Sequence, residues 1–228
     1  MKIYINNFNL LTWPKNMAQL LSAQGHEVIF VDNNSTYEPL LDFYSSCPYT
    51  VYRLNVNIGG SAPWDMNIVD TSDYYCVTDP DYSLHGLPFD WPEKLIQGIE
   101  KYKVESCGLS YDETRIPTEN PAYWEDEFYR YPQGTDYAWG NPLDELYYDM
   151  GNDTSFAVYH PTVKRHYVNG IRAGRPYTVR HLPWHLVSEY NYHEDTFQIP
   201  MDDEIKYYYQ HANHVSTTKL RLAKYNML

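Results

Sequence analysis

The chain has 228 residues, of which 30 are Asp or Glu and 17 are Lys or Arg, for a formal net charge of −13. So acidic a balance excludes a general nucleic-acid binder, which needs a basic face to displace counterions, and argues against docking on anionic lipid. With 43% hydrophobic residues the length suits one α/β domain with a core of ordinary size, residues 1–228.

In chain order, Ile3-Tyr4-Ile5 reads as a strand that ends at Asn6-Asn7. Pro14 opens a helix with apolar positions Met17, Leu20 and Leu21, stopped by Gly25. Glu27 to Val31 is a second strand, entering Asp32-Asn33-Asn34-Ser35. A helical pattern spans Tyr37 to Tyr44, and Tyr49 to Leu54 alternates as a third strand. Tyr74 to Thr78 is a fourth strand, running into Asp79. Pro92 starts a helix through Tyr102, and Val104 to Leu109 is a fifth strand. Strand and helix alternating at these spacings predict βαβ units and a Rossmann-like, mainly parallel central sheet flanked by helices. Residues 111–150, rich in Tyr, Trp, Pro and acids, read as a loop-rich lobe. Ser155 to Tyr159 reads as a strand and residues 202–212 as a helix.

Cys47, Cys76 and Cys107 show no metal or redox spacing, which points to a reducing compartment. The opening segment has no secretory signal pattern, and no apolar run reaches the ~18 residues of a membrane span. A cytoplasmic protein without a membrane span is therefore expected. The 25 tyrosines suit stacking on sugar rings or bases as well as ordinary packing.

Ligands of open parallel sheets bind outside the carboxyl ends of the strands. The polar loops Asn6 to Thr12, Asp32 to Ser35, Asn57 to Ser61 and Asp79 to Asp81 should therefore meet in one crevice, with Asn6, Thr12, Asp32, Asn57 and Asp79 as its ligand-binding candidates. Asp79-Pro80-Asp81 places two carboxylates at a strand end, hard ligands suited to Mg²⁺ or Mn²⁺ bridging a diphosphate. The same tripeptide is also good turn chemistry. From Thr154 to Ser188 the chain has no Asp or Glu, yet it carries Lys164, Arg165, Arg172, Arg175 and Arg180 with His160, His166, His181 and His185. This block reads either as a solvated basic face or as a phosphate clamp, with Arg172, Arg175 and Arg180 as candidate contacts. Asp153 is either a turn or cap residue or a general base.

Taken together, Val31-Asp32-Asn33-Asn34-Ser35-Thr36, Asn57-Ile58-Gly59-Gly60 and Tyr75-Cys76-Val77-Thr78-Asp79-Pro80-Asp81 resemble the GT-A fold glycosyltransferases, above all the family 2-type enzymes and their small viral and bacterial relatives. The resemblance covers roughly residues 1–190. It implies a nucleotide-sugar-binding half, residues 1–110, and an acceptor and metal-completing half, residues 111–228. It further implies a UDP-sugar donor, a glycan acceptor and a Mn²⁺ or Mg²⁺ ion. By the same resemblance Asp32 contacts the base, Asp79 and Asp81 bind the metal and sugar-nucleotide, His181 adds a metal ligand with His185 as the fallback, and Asp153 is the catalytic base of an inverting reaction. Trp124 and Glu125 are candidates for the acceptor side. The QxxRW element of processive members is absent, which favours transfer of a single sugar.

Two other readings stand beside this one. A sugar-1-phosphate nucleotidyltransferase needs a glycine-rich basic loop after the first strand, where this chain has Asn6-Asn7-Phe8-Asn9-Leu10-Leu11-Thr12. A non-catalytic carbohydrate-binding protein would use the aromatic lobe without a nucleotide.

Overall fold

The structure is a computed structural model that describes residues 1–117, 141–152, 156–166, 168–188, 190, 195–212 and 223. Its first half follows the periodicities of the sequence. β1 (Lys2–Asn7) leads to α1 (Thr12–Ala23), β2 (Glu27–Asp32), α2 (Glu38–Ser46) and β3 (Thr50–Arg53). A short turn of helix at Gly59–Ser61 continues into α3 (Ala62–Asp65). β4 (Tyr75–Thr78) and the brief β5 (Tyr82–Ser83) precede α4 (Trp91–Tyr102) and β6 (Ser106–Tyr111). Prolines in the first turns of α2 and α4 suit positions whose N–H groups lack a helical partner. Gly25, at φ +85°, closes the turn after α1 in a conformation that costs other residues more.

The later strands are β7 (Asn141–Pro142), β8 (Tyr147–Asp149), β9 (Ala157–Tyr159) and β10 (Gly170–His181). β11 (Leu186–Val187) and β12 (Ile199–Pro200) form a separate small sheet ahead of α5 (Asp203–His211). The main sheet, ten strands among the described residues, runs β3-β2-β1-β4-β9-β6-β10-β8-β7, with β5 on β10. β1, β2, β3 and β4 pair in parallel, as do β6 and β10. β9 is wedged antiparallel between β4 and β6, and β8 is antiparallel to β10. The fold is therefore mixed α/β with a mostly parallel sheet flanked by helices. The direct succession of parallel strands expected from β4 to β6 is interrupted by a strand from much later in the chain.

Alternation along β1 supplies both faces of the sheet. Ile3 and Ile5 join Met17, Leu21, Phe30, Trp91, Leu95 and Phe156 in the larger core beneath α1 and α4. Tyr4 faces the other side, with Trp64, Tyr75 and Tyr159. There Tyr75 stacks on Tyr159 at 5.5 Å between ring centroids, accepts a hydrogen bond from Trp64 Nε1 at 2.9 Å and donates one to the Val163 carbonyl at 2.8 Å. Tyr75 is thus a core residue whose hydroxyl is satisfied inside the protein, as buried phenols need. Asn152 packs so closely on β6 that a Cβ at Gly108 would overlap its side-chain amide. Among the described residues, no helix is long and apolar enough to cross a membrane.

β10 is the longest element missed by periodicity. Arg172, Gly174, Arg175 and Pro176 interrupt its apolar pattern, and its pairing with β6 shifts register between Ala173 and Thr178. Within residues 111–150, β7 and β8 form a hairpin on the far edge of the sheet.

Candidate functional site

The chain order reverses at β1, because β2 and β3 lie on one side of it and β4 on the other. In sheets of this kind the switch point opens a crevice at the carboxyl ends of the strands. A cleft of about 250 Å³ lies there, lined by Asn6, Asn7 and Phe8 after β1, Asn33 after β2, Asn57, Gly59 and Gly60, and Asp79, Pro80 and Asp81 after β4. Tyr208 of α5 completes its described wall. All four polar loops singled out in the sequence contribute to one surface.

An amide network fixes these loops to each other. Asn33 Nδ2 donates to Asn6 Oδ1 at 2.6 Å, Asn6 Nδ2 donates to the Gly59 carbonyl at 3.1 Å, and Ile58 N–H donates to Asn33 Oδ1 at 3.2 Å. Asn57 Oδ1 accepts from Gly59 N–H at 3.0 Å, while its buried Nδ2 has no hydrogen-bond partner among the described residues. Asn9, at φ +52°, accepts from Thr36 N–H and Tyr37 N–H and so ties the β1–α1 loop to the β2–α2 loop.

The acidic end is built by β4 and β10. The Asp81 carbonyl accepts from Leu182 N–H at 2.9 Å, which holds the end of β10 against the turn after β4. His181 Nε2 then lies 3.4 Å from Asp81 Oδ2. The imidazole sits in an aromatic box, its centroid 4.9 Å from Trp184, 5.4 Å from Tyr82 and 6.3 Å from Tyr111. Asp81 Oδ1 and His181 Nδ1 are buried with no hydrogen-bond partner among the described residues. Unsatisfied buried polar atoms are rare in proteins and call for an explanation such as an ion or a ligand. Among the described residues no three His, Cys, Asp or Glu come together as a metal cage. Mg²⁺ and similar ions are commonly held by one or two carboxylates plus substrate phosphates, and an Asp81–His181 pair with Asp79 on the same cleft fits that partial donor set.

Charge is one-sided. Among the described residues that line the cleft there are two carboxylates and no Lys, Arg or His. Burial first, then the charges of Asp81 and Asp79, raise the pKa of the Tyr208 phenol, so it stays a hydrogen-bond donor.

Several residues anticipated at the site lie elsewhere. Arg172 is 1% exposed, donates to the Leu109 carbonyl at 2.8 Å and the Gly151 carbonyl at 3.3 Å, and stacks on Tyr111. Sealed in the core by these contacts, it is no phosphate ligand. Arg180 pairs with Asp112 at 2.7 Å and covers the Phe197 ring, and Arg175 is exposed at the register shift of β10, off the cleft. The basic segment therefore does not form the anticipated clamp. Thr12 is also removed from the cleft, because its N–H and hydroxyl both donate to Glu204. It lies instead on a second, more apolar cavity of about 400 Å³ with Trp13, Met17, Leu84 and Phe197. Asp32 is fully buried, accepts from Ser35 N–H at 3.0 Å and lies 3.6 Å from Arg53, while its neighbour Asn33 lines the cleft. His185, the fallback ligand, is buried with Nδ1 3.0 Å from the Phe197 carbonyl oxygen, and burial lowers its pKa to about 4. Asp153, Trp124 and Glu125 lie outside the described residues.

The sequence reading missed Asn33, Phe8 and Tyr208. Asn33 was legible as the first residue after β2. Nothing local marked Tyr208, since its approach to Asp79 is a tertiary contact across more than half the chain. No protein-family model and no curated protein matches the chain.

Proposed function

We propose that the chain is a metal-dependent glycosyltransferase of the GT-A type, similar to family 2 enzymes, that moves one sugar from a UDP-sugar or another nucleotide-diphosphate sugar to a hydroxyl of a glycan. The observation that carries this reading is the meeting of Asp81 and His181, 100 positions apart in sequence, beside Asp79 at the switch-point cleft. Asp79, Asp81 and His181 are the residues that would hold Mn²⁺ or Mg²⁺. When bound, such an ion supplies neutralisation of charge on the departing diphosphate. Asn6, Asn33 and Asn57 offer fixed amides to orient the nucleotide. Gly59 and Gly60 keep that wall low enough for close approach, and Phe8 and Tyr208 supply aromatic surface. Asp153 as general base, with Trp124 and Glu125 on the acceptor side, completes the proposal from the sequence resemblance.

The one-sided charge gives the reading a sharp consequence. A cleft with two carboxylates and no described cationic wall residue repels a diphosphate unless a cation bridges them. UDP with Mn²⁺ should therefore raise the melting temperature, whereas UDP alone should not. An equal rise without the metal, or none with it, would remove the proposal.

The same wall of amides, carboxylates and aromatic rings also suits neutral sugar hydroxyls, which favours a carbohydrate-binding protein as the second reading. It predicts stabilisation by free sugars and indifference to UDP with Mn²⁺, so the same thermal scan separates the two.

A further inference from the structure

The cleft has one wall from the far end of the chain. Tyr208 lines it beside Asp79, Pro80 and Asp81, with its ring 6.4 Å from that of Phe8 and tilted by 58°. The neighbouring tyrosines of α5 have other partners. The Tyr207 hydroxyl lies 3.0 Å from Thr36 Oγ1, and Tyr209 is buried with Leu186 and Ile205. The hydroxyl of the half-buried Tyr208 makes no hydrogen bond to a described residue.

α5 is held where it is by a carboxylate one helical turn before Tyr208. Glu204 Oε1 accepts from the N–H groups of Leu11 and Thr12, both at 2.8 Å, and Oε2 accepts from Thr12 Oγ1 at 2.7 Å. These bonds satisfy donors at the start of α1, which a helix cannot satisfy internally. Residues four apart share a helix face, so the turn that anchors α5 also sets the side from which Tyr208 projects. The anchor is made next to the β1–α1 loop that carries Phe8, so both aromatic walls of the cleft are fixed at one junction.

We propose that Tyr208 is a ligand-contacting residue, its hydroxyl donating a hydrogen bond to a phosphate oxygen of a nucleoside diphosphate held at Asp79 and Asp81, and that Glu204 is the positioning residue that places it. The inference rests on the reading of the cleft as a diphosphate site. It assigns to α5 the phosphate-contacting task that the arginines of β10 do not perform. A phenol suits this wall, because it donates to an anion at neutral pH without carrying a positive charge into contact with the carboxylates.

The test titrates the full chain with UDP and with uridine in the presence of Mn²⁺, using calorimetry for UDP and ligand-observed NMR for the weaker uridine. Tyr208→Phe keeps the ring and should weaken UDP about tenfold, the effect of losing one hydrogen bond to a charged group. Uridine affinity and the melting temperature without ligand should not change. Tyr207→Phe, which removes a hydroxyl turned toward Thr36, should leave both ligands as in the parent chain. Glu204→Gln loses the acceptor for Thr12 Oγ1 and should weaken UDP more than uridine. Undiminished UDP binding by Tyr208→Phe would overturn the inference, as would a parallel loss of UDP and uridine, which marks a purely structural ring. Failure of the parent chain itself to bind UDP with Mn²⁺ would overturn the diphosphate site and this inference together, a result distinct from the other two.

Discussion

The switch-point cleft and the basic segment 154–188 make an instructive pair. The cleft residues are scattered through the sequence, on four loops and one distant helix, yet they share one surface. The cations of the basic segment are close in sequence and end up apart. Arg165 pairs with Glu105 just before the amino end of β6, Arg172 is in the core, Arg175 is exposed at the register shift, and Arg180 pairs with Asp112. The difference is geometric. A strand advances about 3.3 Å per residue and sends successive side chains to opposite faces, so β10 spreads Arg172, Arg175 and Arg180 over roughly 26 Å and two sides. Loops at the carboxyl ends of parallel strands are gathered onto one edge by the sheet itself. Convergence follows topology, and proximity in sequence does not ensure it.

The strongest way to break this comparison is to remove one residue from each region. Asp81→Ala should weaken Mn²⁺-dependent UDP binding by about 100-fold or more, since the proposed metal ligand and its charge are lost. Global stability should change little, because the deleted carboxylate has an unsatisfied oxygen beside a second acidic residue. Arg172→Ala should do the opposite. Deleting a buried side chain with two carbonyl partners and a ring contact should cost about 3 kcal/mol in urea denaturation, while folded protein keeps its nucleotide affinity. Weak UDP binding by a folded Arg172→Ala protein would restore the arginine clamp.

His185, buried within the basic segment, gives a test of intermediate size. Burial lowers its pKa to about 4, outweighing the opposing hydrogen bond to Phe197. An unfolded histidine titrates near 6.5. Between about pH 6.5 and 4 the unfolded chain therefore holds a proton that the folded chain lacks, and stability should fall as pH is lowered through that window. The expected loss from this one group is on the order of 2 kcal/mol by about pH 4.5. Urea melts at neutral and acid pH should show the loss in the parent chain, and His185→Gln should remove that share of the pH dependence whatever its own stability.

Legibility in the sequence follows the same division between local and tertiary causes. β1, α1, β2, α2, β3, β4, α4 and β6 are written in local periodicity, from the Ile3-Tyr4-Ile5 run to the proline that opens α4, and the four polar loops follow from them. Residues 203–211 were also legible as a helix. Their place against the cleft was not, because it depends on Glu204 meeting Leu11 and Thr12 nearly 200 residues away. β9 reads as a strand, but its antiparallel position between β4 and β6 depends on partners that no local pattern names. β10 was hidden because Arg172 and Arg180 are stabilised by Tyr111, Asp112 and a backbone carbonyl rather than by water, which makes a core strand look like a polar segment. His181 was reached only through the family resemblance, and the box of Tyr82, Tyr111 and Trp184 that holds it arises from three separate parts of the chain.

The smallest expected effect isolates the sequence anomaly itself. Arg175 is exposed on β10, beside the register shift and away from the cleft lining. Arg175→Ala should change stability by no more than about 0.5 kcal/mol, as usual for a surface substitution. It should also leave the UDP affinity and its salt dependence unaltered in Mn²⁺. A phosphate-binding guanidinium would behave differently, because a lost bidentate contact weakens the complex and flattens its response to salt. A tenfold loss of affinity with a flatter salt response would return the basic segment to the site. An unchanged titration would leave the cleft, whose described lining holds two carboxylates and no Lys, Arg or His, to draw its positive charge from a bound cation.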